Sequence, residues 1–385
     1  MLAGTNVVLG VTGSIAAVRV VELAHELRRH GATVRGVMSP SATDIVHPWS
    51  VEFATEMPVV TEITGGVEHV ELFGDDGWAD VFLIAPATAN TIGKMAAAVD
   101  DTPVTTCATI SLGSGVPVVV APAMHGPMYE HPGVLDSIDR LEEWGVSFVD
   151  PVFEEGKAKI ATDEAIVLET ARAAGETPLE GHHVVVTSGA TSEAIDPVRV
   201  LTNRASGKTG RAVAKGLYAR GADVTLVQDG PSVPYADVAA VESAESMRVA
   251  VLDRLEETDA DALVSAAAIG DFTIEPAAEK IRSGEPVTLE LDPTPKLIDS
   301  VRELHPDLPI VGFKAEDDTD GMVEAAQALQ DRVGLAFVVA NDAAVMGEDE
   351  TAASIVDGDA VQEFQGSKMG LGLRIADELA ARVTE

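Results

Sequence analysis

NVVLGVTGSIAAVRVVELAHELRRHGATVRGVMS, residues 6–39, contains one complete strand–helix–strand unit. NVVLGVTG (6–13) is nearly all apolar and rich in valine, the pattern of a strand covered on both faces. AAVRVVELAHELRRHG places its apolar residues at helical spacing and ends at Gly31, a residue type favoured just past a helix terminus. ATVRGVMS (32–39) then gives a second buried strand. Further along, VFLIAPAT (81–88) and VPVVVAPAM (116–124) repeat the apolar strand that closes in small or polar residues. This layout predicts a parallel sheet with crossover helices, whose strand ends face a ligand crevice.

The pattern starts again at HHVVVTSGAT (182–191), followed by a helical stretch from about Lys208 to Arg220 and a strand in GADVTLV (221–227). HGATVRGVM in the first half and RGADVTLVQ in the second are the same helix–Gly–strand phrase, as two doubly wound domains would produce. DALVSAAAIGDF, PIVGFKAE and LAFVVAND supply later strands, and GLGLRIADELAARV a closing helix. Between the halves, ARAAGETPLEG is polar and carries Gly and Pro. The fold class expected is therefore α/β with two doubly wound domains, residues 1–172 and 182–385, joined by a linker at 173–181.

Of the 385 residues 46% are hydrophobic, and no apolar run is long enough to cross a bilayer. The opening MLAGTNVVLG runs straight into a strand without a basic leader, so a cytoplasmic protein is expected. The 63 acidic residues against 26 basic ones give a net charge of −37, which excludes nucleic acid and anionic membranes as partners. The acids are spread along the chain, which suggests adaptation to a salty cytoplasm where screening offsets self-repulsion. The single cysteine, Cys107, rules out an internal disulfide and reads as a small buried apolar residue. Lysine is rare, nine in all, and Lys208, Lys280, Lys314 and Lys368 fall inside the motifs below.

VLGVTGSIAA puts Gly10, Gly13 and Ser14 at a strand-to-helix turn, where backbone N–H groups can approach a phosphate. The spacing misses G-x-G-x-x-G, which argues against NAD. MSPSAT (38–43) follows the second strand and offers Ser39, Ser41 and Thr43 as hydroxyl donors. VEHVEL around His69, APATANTIGKMAAAVDD (85–101) and APAMHGPMY (121–129) complete the set. Together these segments resemble the homo-oligomeric flavin-containing Cys decarboxylases, the phosphopantothenoylcysteine decarboxylases in particular. The resemblance implies a flavodoxin-like fold, FMN bound by Gly13, Ser14, Ser39, Thr88, Asn90 and Met124, and catalysis by His69. It also implies trimers that build the FMN site between subunits. Two departures stand out. His125 occupies the place of the family's carboxylate-holding Asn, where it is expected to keep that role. EEGKAKIATDEA (154–165) replaces a Cys-bearing substrate flap, so Lys157 and Lys159 are the expected flap contacts and the proton donor is unassigned.

VVVTSGATSEAIDPVRVLTNRASGKTG (184–210) combines backbone-donor turns at Gly189, Ser206 and Gly207 with a lysine where a helix begins. The spacing is not that of a P-loop. SAAAIGDF (265–272), AEKIRSG (278–284), DPTPKLI (292–298), VGFKAE (311–316) and AND (340–342) follow. In this order they resemble the phosphopantothenate–cysteine ligases, with a Rossmann-like fold and ligase dimers. The resemblance implies Arg199 and Asn203 as catalytic residues. It implies a CTP site at Ser265, Ala266, Ala267, Asp271, Lys280, Pro295, Lys296, Leu297 and Phe313, with Mg²⁺ on Asp271. Lys314 and Lys368 are expected charge partners, whereas the helix EAAQALQDRVGLAF keeps only Arg332 of the basic residues found there in relatives.

The two resemblances imply consecutive steps of coenzyme A biosynthesis. A carboxylate reacts with an amine only once its oxygen is made a good leaving group, which an acyl-cytidylate provides. The ligated product, 4′-phosphopantothenoylcysteine, is then decarboxylated, with FMN first oxidising its thiol side so that the departing electron pair is conjugated. The small-molecule substrates expected are 4′-phosphopantothenate, cysteine and CTP. Two other readings remain for the first half: a flavin prenyltransferase, which shares the APAT and PAM segments, and a non-catalytic FMN-binding regulator, which the missing flap Cys would suit.

Overall fold

The computed structural model describes residues 1–282, 284, 286–316, 319–342 and 350–384. It divides into two compact units, Met1–Gly175 and Glu176–Glu385.

In the first unit the apolar segments form β1 (Asn6–Val11), β2 (Thr33–Met38), β3 (Val81–Ala87), β4 (Val118–Pro122) and β5 (Ser147–Phe148). They make one parallel sheet in the order β2-β1-β3-β4-β5. The strand order reverses between β1 and β3, the switch point at which such sheets open a crevice. β3 and β4 are buried along their whole length, because helices cover both faces. The expected helix after β1 begins as a short 3₁₀ turn, Ile15–Arg19, and continues as α1 (Val20–Arg29). Gly31 turns the chain with φ +98°, and a Cβ there would lie 2.8 Å from the Ala3 Cα. Cys107 sits fully buried on the helix Pro103–Ser114. The segment read as a flap is a hairpin. Val152–Glu154 pairs with Lys157–Lys159, which pairs in turn with Met124–His125.

The expected linker is partly ordered structure: the helix Asp163–Ala174 runs into it, and Leu179 is fully buried with its N–H bonded to the Arg220 carbonyl at 2.9 Å. The second unit holds an eight-stranded sheet. Its strands are β6 (His183–Ser188), β7 (Asp223–Gln228), β8 (Asp237–Ala240), β9 (Ala262–Ser265), β10 (Ile310–Glu316), β11 (Phe337–Asp342), β12 (Glu350–Asp357) and β13 (Ala360–Ser367). The order is β8-β7-β6-β9-β10-β11-β12-β13, parallel as far as β11 and antiparallel at β12 and β13. Reversal here falls between β6 and β9. Sequence periodicity did not announce the antiparallel pair β12–β13. Among the described residues, no helix is long and apolar enough to cross a membrane.

Candidate functional site

Each switch point carries a cavity. In the first unit the carboxyl ends of β1, β3 and β4 are tied together by side chains. The Thr12 hydroxyl donates to the Pro86 carbonyl (2.8 Å) and accepts the Thr88 N–H (3.1 Å), and the Ser14 hydroxyl donates to the Ala123 carbonyl (3.0 Å). Thr88 caps the helix α2 (Ala89–Ala96), so unpaired backbone donors of its first turn lie at this edge. Gly13 has no space for a side chain: a Cβ would sit 2.4 Å from the Ser41 Oγ and 2.6 Å from its Cβ.

A cavity of about 500 Å³ opens on these turns. Gly13, Ser14, Thr88, Met124, His125, Lys157 and Lys159 line it, together with apolar Ile15, Ala16, Met128 and Ile160. Sequence reasoning missed Arg19, which lines the cavity and pairs with Asp163 at 2.8 Å. Lys159 is drawn toward Glu154 (2.9 Å), an ion pair that holds the glutamate below its ordinary pKa and the lysine above its own. Ser39, His69 and Asn90 do not line this cavity. Ser39 is buried with its hydroxyl 3.2 Å from that of Ser41, and Asn90 is exposed on the first turn of α2. His69 lies on the short helix Glu68–Phe73, and its Nδ1 is buried without a hydrogen-bond partner. The Thr64 hydroxyl and N–H bind the neighbouring Glu68 carboxylate and hold it below its ordinary pKa. The glycine cradle, the apolar walls and the first-turn backbone donors of α2 fit a flat aromatic cofactor with a phosphate tail.

In the second unit two adjoining cavities, about 460 and 160 Å³, share Ala267, Ile269, Asp271 and Phe313. The larger is built by the turns after β6 and β9 and by two helices, α3 (Lys208–Ala219) and α4 (Lys368–Val383). Gly207 caps α3 at φ +72°, and its carbonyl accepts the Ser188 hydroxyl (3.0 Å). The two helices meet backbone to backbone: a Cβ on Gly216 would lie 2.4 Å from the Gly372 carbonyl carbon, and one on Gly372 would lie 2.2 Å from the Ala212 oxygen. Lys208 and Lys368 open the two helices, and both line the cavity with Lys314. Two positive helix ends and three lysines thus face one space, as a polyphosphate requires.

Asn203, Ala266, Ala267, Asp271 and Phe313 line the larger cavity; Ser265, Pro295, Lys296 and Leu297 line the smaller. The Asn203 amide donates to the Ala268 carbonyl (2.9 Å), and Lys296 pairs with Asp271 (2.5 Å). Arg199 and Lys280 line neither. The Arg199 guanidinium is held by Asp196 and the Ile281 carbonyl, while Lys280 is exposed. Arg332 pairs with Asp299 at 2.8 Å. Arg204 and Thr351 were missed: the first adjoins Asn203 in the motif, the second lies on a strand with no motif. Among the described residues no three His, Cys, Asp or Glu side chains converge on a metal site.

A profile of the Flavoprotein family matches residues 1–175, and one of the DNA/pantothenate metabolism flavoprotein C-terminal domain matches 179–383. A protein of Thermococcus kodakarensis, the coenzyme A biosynthesis bifunctional protein CoaBC, is 47% identical over 98% of this chain and 95% of its own length. The chain belongs to the CoaBC family. It is a bifunctional enzyme of coenzyme A biosynthesis, with a flavoprotein decarboxylase domain ahead of a ligase domain. The CoaBC protein of Methanocaldococcus jannaschii is 33% identical over 98% of this chain and 94% of its own length. A solved C-terminal domain of a CoaBC protein overlays with a TM-score of 0.47 at 26% identity, covering 54% of this chain and 99% of that one.

Proposed function

We propose that the second half ligates cysteine to 4′-phosphopantothenate through an acyl-cytidylate made from CTP, and that the first half then decarboxylates 4′-phosphopantothenoylcysteine with FMN. The observation that carries the ligase reading is the meeting of Asn203, Asp271 and the lysine-bearing first turns of α3 and α4 in one cavity. Lys208 and Lys368 neutralise the triphosphate, and Asp271 holds Mg²⁺ on it. Phe313 and the Pro295–Lys296–Leu297 turn, which line the smaller cavity, receive the base. The Asn203 side chain, steadied on the Ala268 carbonyl, faces the acyl group and holds the mixed anhydride until the cysteine amine attacks.

In the first half, FMN supplies reversible two-electron oxidation at the thiol-bearing carbon of the substrate. The turn at Gly13 and Ser14 and the first turn of α2 bind its phosphate and polar edge, and Met124 packs on its apolar face. His125 holds the substrate carboxylate, Lys157 and Lys159 close over the phosphate, and His69 orients the thiol or removes its proton. Because His69 and Asn90 lie outside the cavity lined by Gly13 and Ser14, the reading includes trimers in which a neighbouring subunit completes the site. It also includes ligase dimers, a cytoplasmic location and a working environment rich in salt.

A coupled assay with phosphopantothenate, cysteine and either CTP or ATP tests the scheme. His69→Asn is expected to stall at the acylated cysteine, and Asn203→Asp at the nucleotidyl adduct. Equal turnover with ATP would remove the choice of CTP, no turnover with either nucleotide would remove the ligase half, and release of CO₂ by the His69 variant at the wild-type rate would remove the role of His69.

A further inference from the structure

The hairpin of Ser192–Ala194 and Val200–Thr202 carries two buried carboxylates, Glu193 and Asp196. Shielding an ionised group from water is costly unless its lone pairs are used. The Asp196 side chain is fully shielded and accepts four hydrogen bonds. Its Oδ1 takes the N–H groups of Val198 (2.8 Å) and Arg199 (2.9 Å); its Oδ2 takes the Ile281 N–H (3.1 Å) and the Arg199 Nη1 (3.1 Å). Arg199 closes the ring by donating Nη2 to the Ile281 carbonyl (3.0 Å). Burial by itself would raise the Asp196 pKa, but the N–H groups of Val198, Ile281 and Arg199 outweigh it and hold the carboxyl below its ordinary value.

The segment bound in this way carries Lys280. Its other end is pinned to the same hairpin, where the Ala277 N–H donates to the Ile195 carbonyl (2.9 Å). Residues Ala278, Glu279 and Lys280 therefore span two fixed anchors. Glu193 repeats the device upstream, taking the Ala244 N–H (2.8 Å) and the Thr273 hydroxyl (2.9 Å) two residues past Asp271.

We propose that Asp196 is a positioning residue of the ligase: with Arg199 as the second jaw, it clamps the backbone at Ile281 so that Lys280 is presented to the nucleotide. Arg199 then acts through this clamp; both it and Lys280 lie outside the two cavities, so the clamp fixes where Lys280 starts from when the nucleotide binds. The inference rests on the reading of Lys280 as a nucleotide contact.

The test is a double-mutant cycle in the full chain, following the KM for CTP and kcat of the ligase, with the urea midpoint of the second unit as the folding control. Asp196→Asn is expected to raise the KM for CTP about tenfold with a much smaller change in kcat, the loss of charge-assisted hydrogen bonds. Arg199→Lys, which keeps the charge but cannot bridge the Asp196 carboxylate and the Ile281 carbonyl at once as the guanidinium does, is expected to raise it about threefold. In a Lys280→Ala background both effects should shrink to less than about twofold, because residues that act as a unit are not additive. The same fold-increase with and without Lys280, or no increase at all, would overturn the proposal. An unchanged KM for CTP in Lys280→Ala alone would remove the nucleotide role of Lys280, and the proposal with it. Arg199→Lys leaves the carboxylate and its backbone bonds in place, so it gives an answer even if Asp196→Asn fails to fold.

Discussion

A single methyl group added at Gly372 should part the two helices that bring Lys208 and Lys368 together. A Cβ there meets the Ala212 oxygen at 2.2 Å, against about 3.4 Å for ordinary contact, so α3 and α4 must separate by about 1.2 Å. Overpacking of this kind costs about 2 kcal/mol, and replacing a helical glycine by alanine returns about 1 kcal/mol. The net expectation for Gly372→Ala is a loss of about 1 kcal/mol, read as a lower urea midpoint for the second unit. The functional cost follows from Coulomb's law. Moving a lysine from about 4 to about 5.2 Å from a phosphate charge, at an effective dielectric of about 20, weakens the attraction by about 1 kcal/mol, or roughly fivefold in affinity. Steady-state ligase kinetics should therefore show the KM for CTP rising about fivefold while decarboxylation is unchanged. Gly321→Ala is the control, since nothing lies within 4 Å of a Cβ at that helical glycine. It should gain stability, by up to about 1 kcal/mol. If Gly372→Ala also gained stability and kept its KM for CTP, the close helix contact would not be what places the lysines.

Gly13→Ala drives a Cβ into Ser41 and should give a folded protein that purifies without the visible absorbance of bound flavin; a yellow variant would refute the cradle. Burial pushes the Cys107 thiol up to about 12, so the native protein at pH 8 should resist alkylation and the urea-unfolded chain should take one label; fast native labelling would refute its burial. The raised value also carries a sign: stability from keeping this thiol protonated is full below the unfolded pKa of about 9 and is lost as pH rises toward about 12, measurable as a falling urea midpoint over that window. With a net charge of −37, both units should gain stability as KCl rises from about 0.01 to 1 M and the screening length falls from about 30 to 3 Å; equal unfolding midpoints at both ends would refute salt adaptation.

What the sequence made legible is what short-range physics controls. β1, α1 and β2 follow from apolar periodicity and a helix-ending glycine. The turns that line the two cavities are equally local, because each is a run of small residues between a strand and a helix. Gly13, Ser14 and Thr88 therefore appear at one cavity, and Asn203 and Asp271 at another, where the motifs put them. The illegible features are long-range. Gly216 and Gly372 look like poor helix residues one at a time; their reason exists only when both helices are in place. Asp196 reads as an ordinary turn aspartate, and its second pair of donors comes from residues more than eighty positions on or from a side chain that folds back. The flap hairpin Val152–Lys159 shows no alternation because its outer strand is exposed throughout, so no buried face stamps a period on it.

The same division explains why Arg199 and Asn203, four residues apart in one motif, end in different surroundings. Between them, Val200–Thr202 is a strand of the hairpin, and its Thr202 hydroxyl is tied to the Thr191 carbonyl at 2.8 Å. That strand carries the chain away from the buried Asp196 and delivers Asn203 to the cavity edge, leaving Arg199 behind at the Ile281 backbone. A motif records which residues a reaction needs within one stretch of chain, and it does not distinguish a group that meets the substrate from one that holds another group in place. Here the two residues differ in their hydrogen-bond partners. Asn203 is fixed by one backbone carbonyl at the cavity, whereas Arg199 divides its two Nη groups between the Asp196 carboxylate and the Ile281 carbonyl of the segment that bears Lys280.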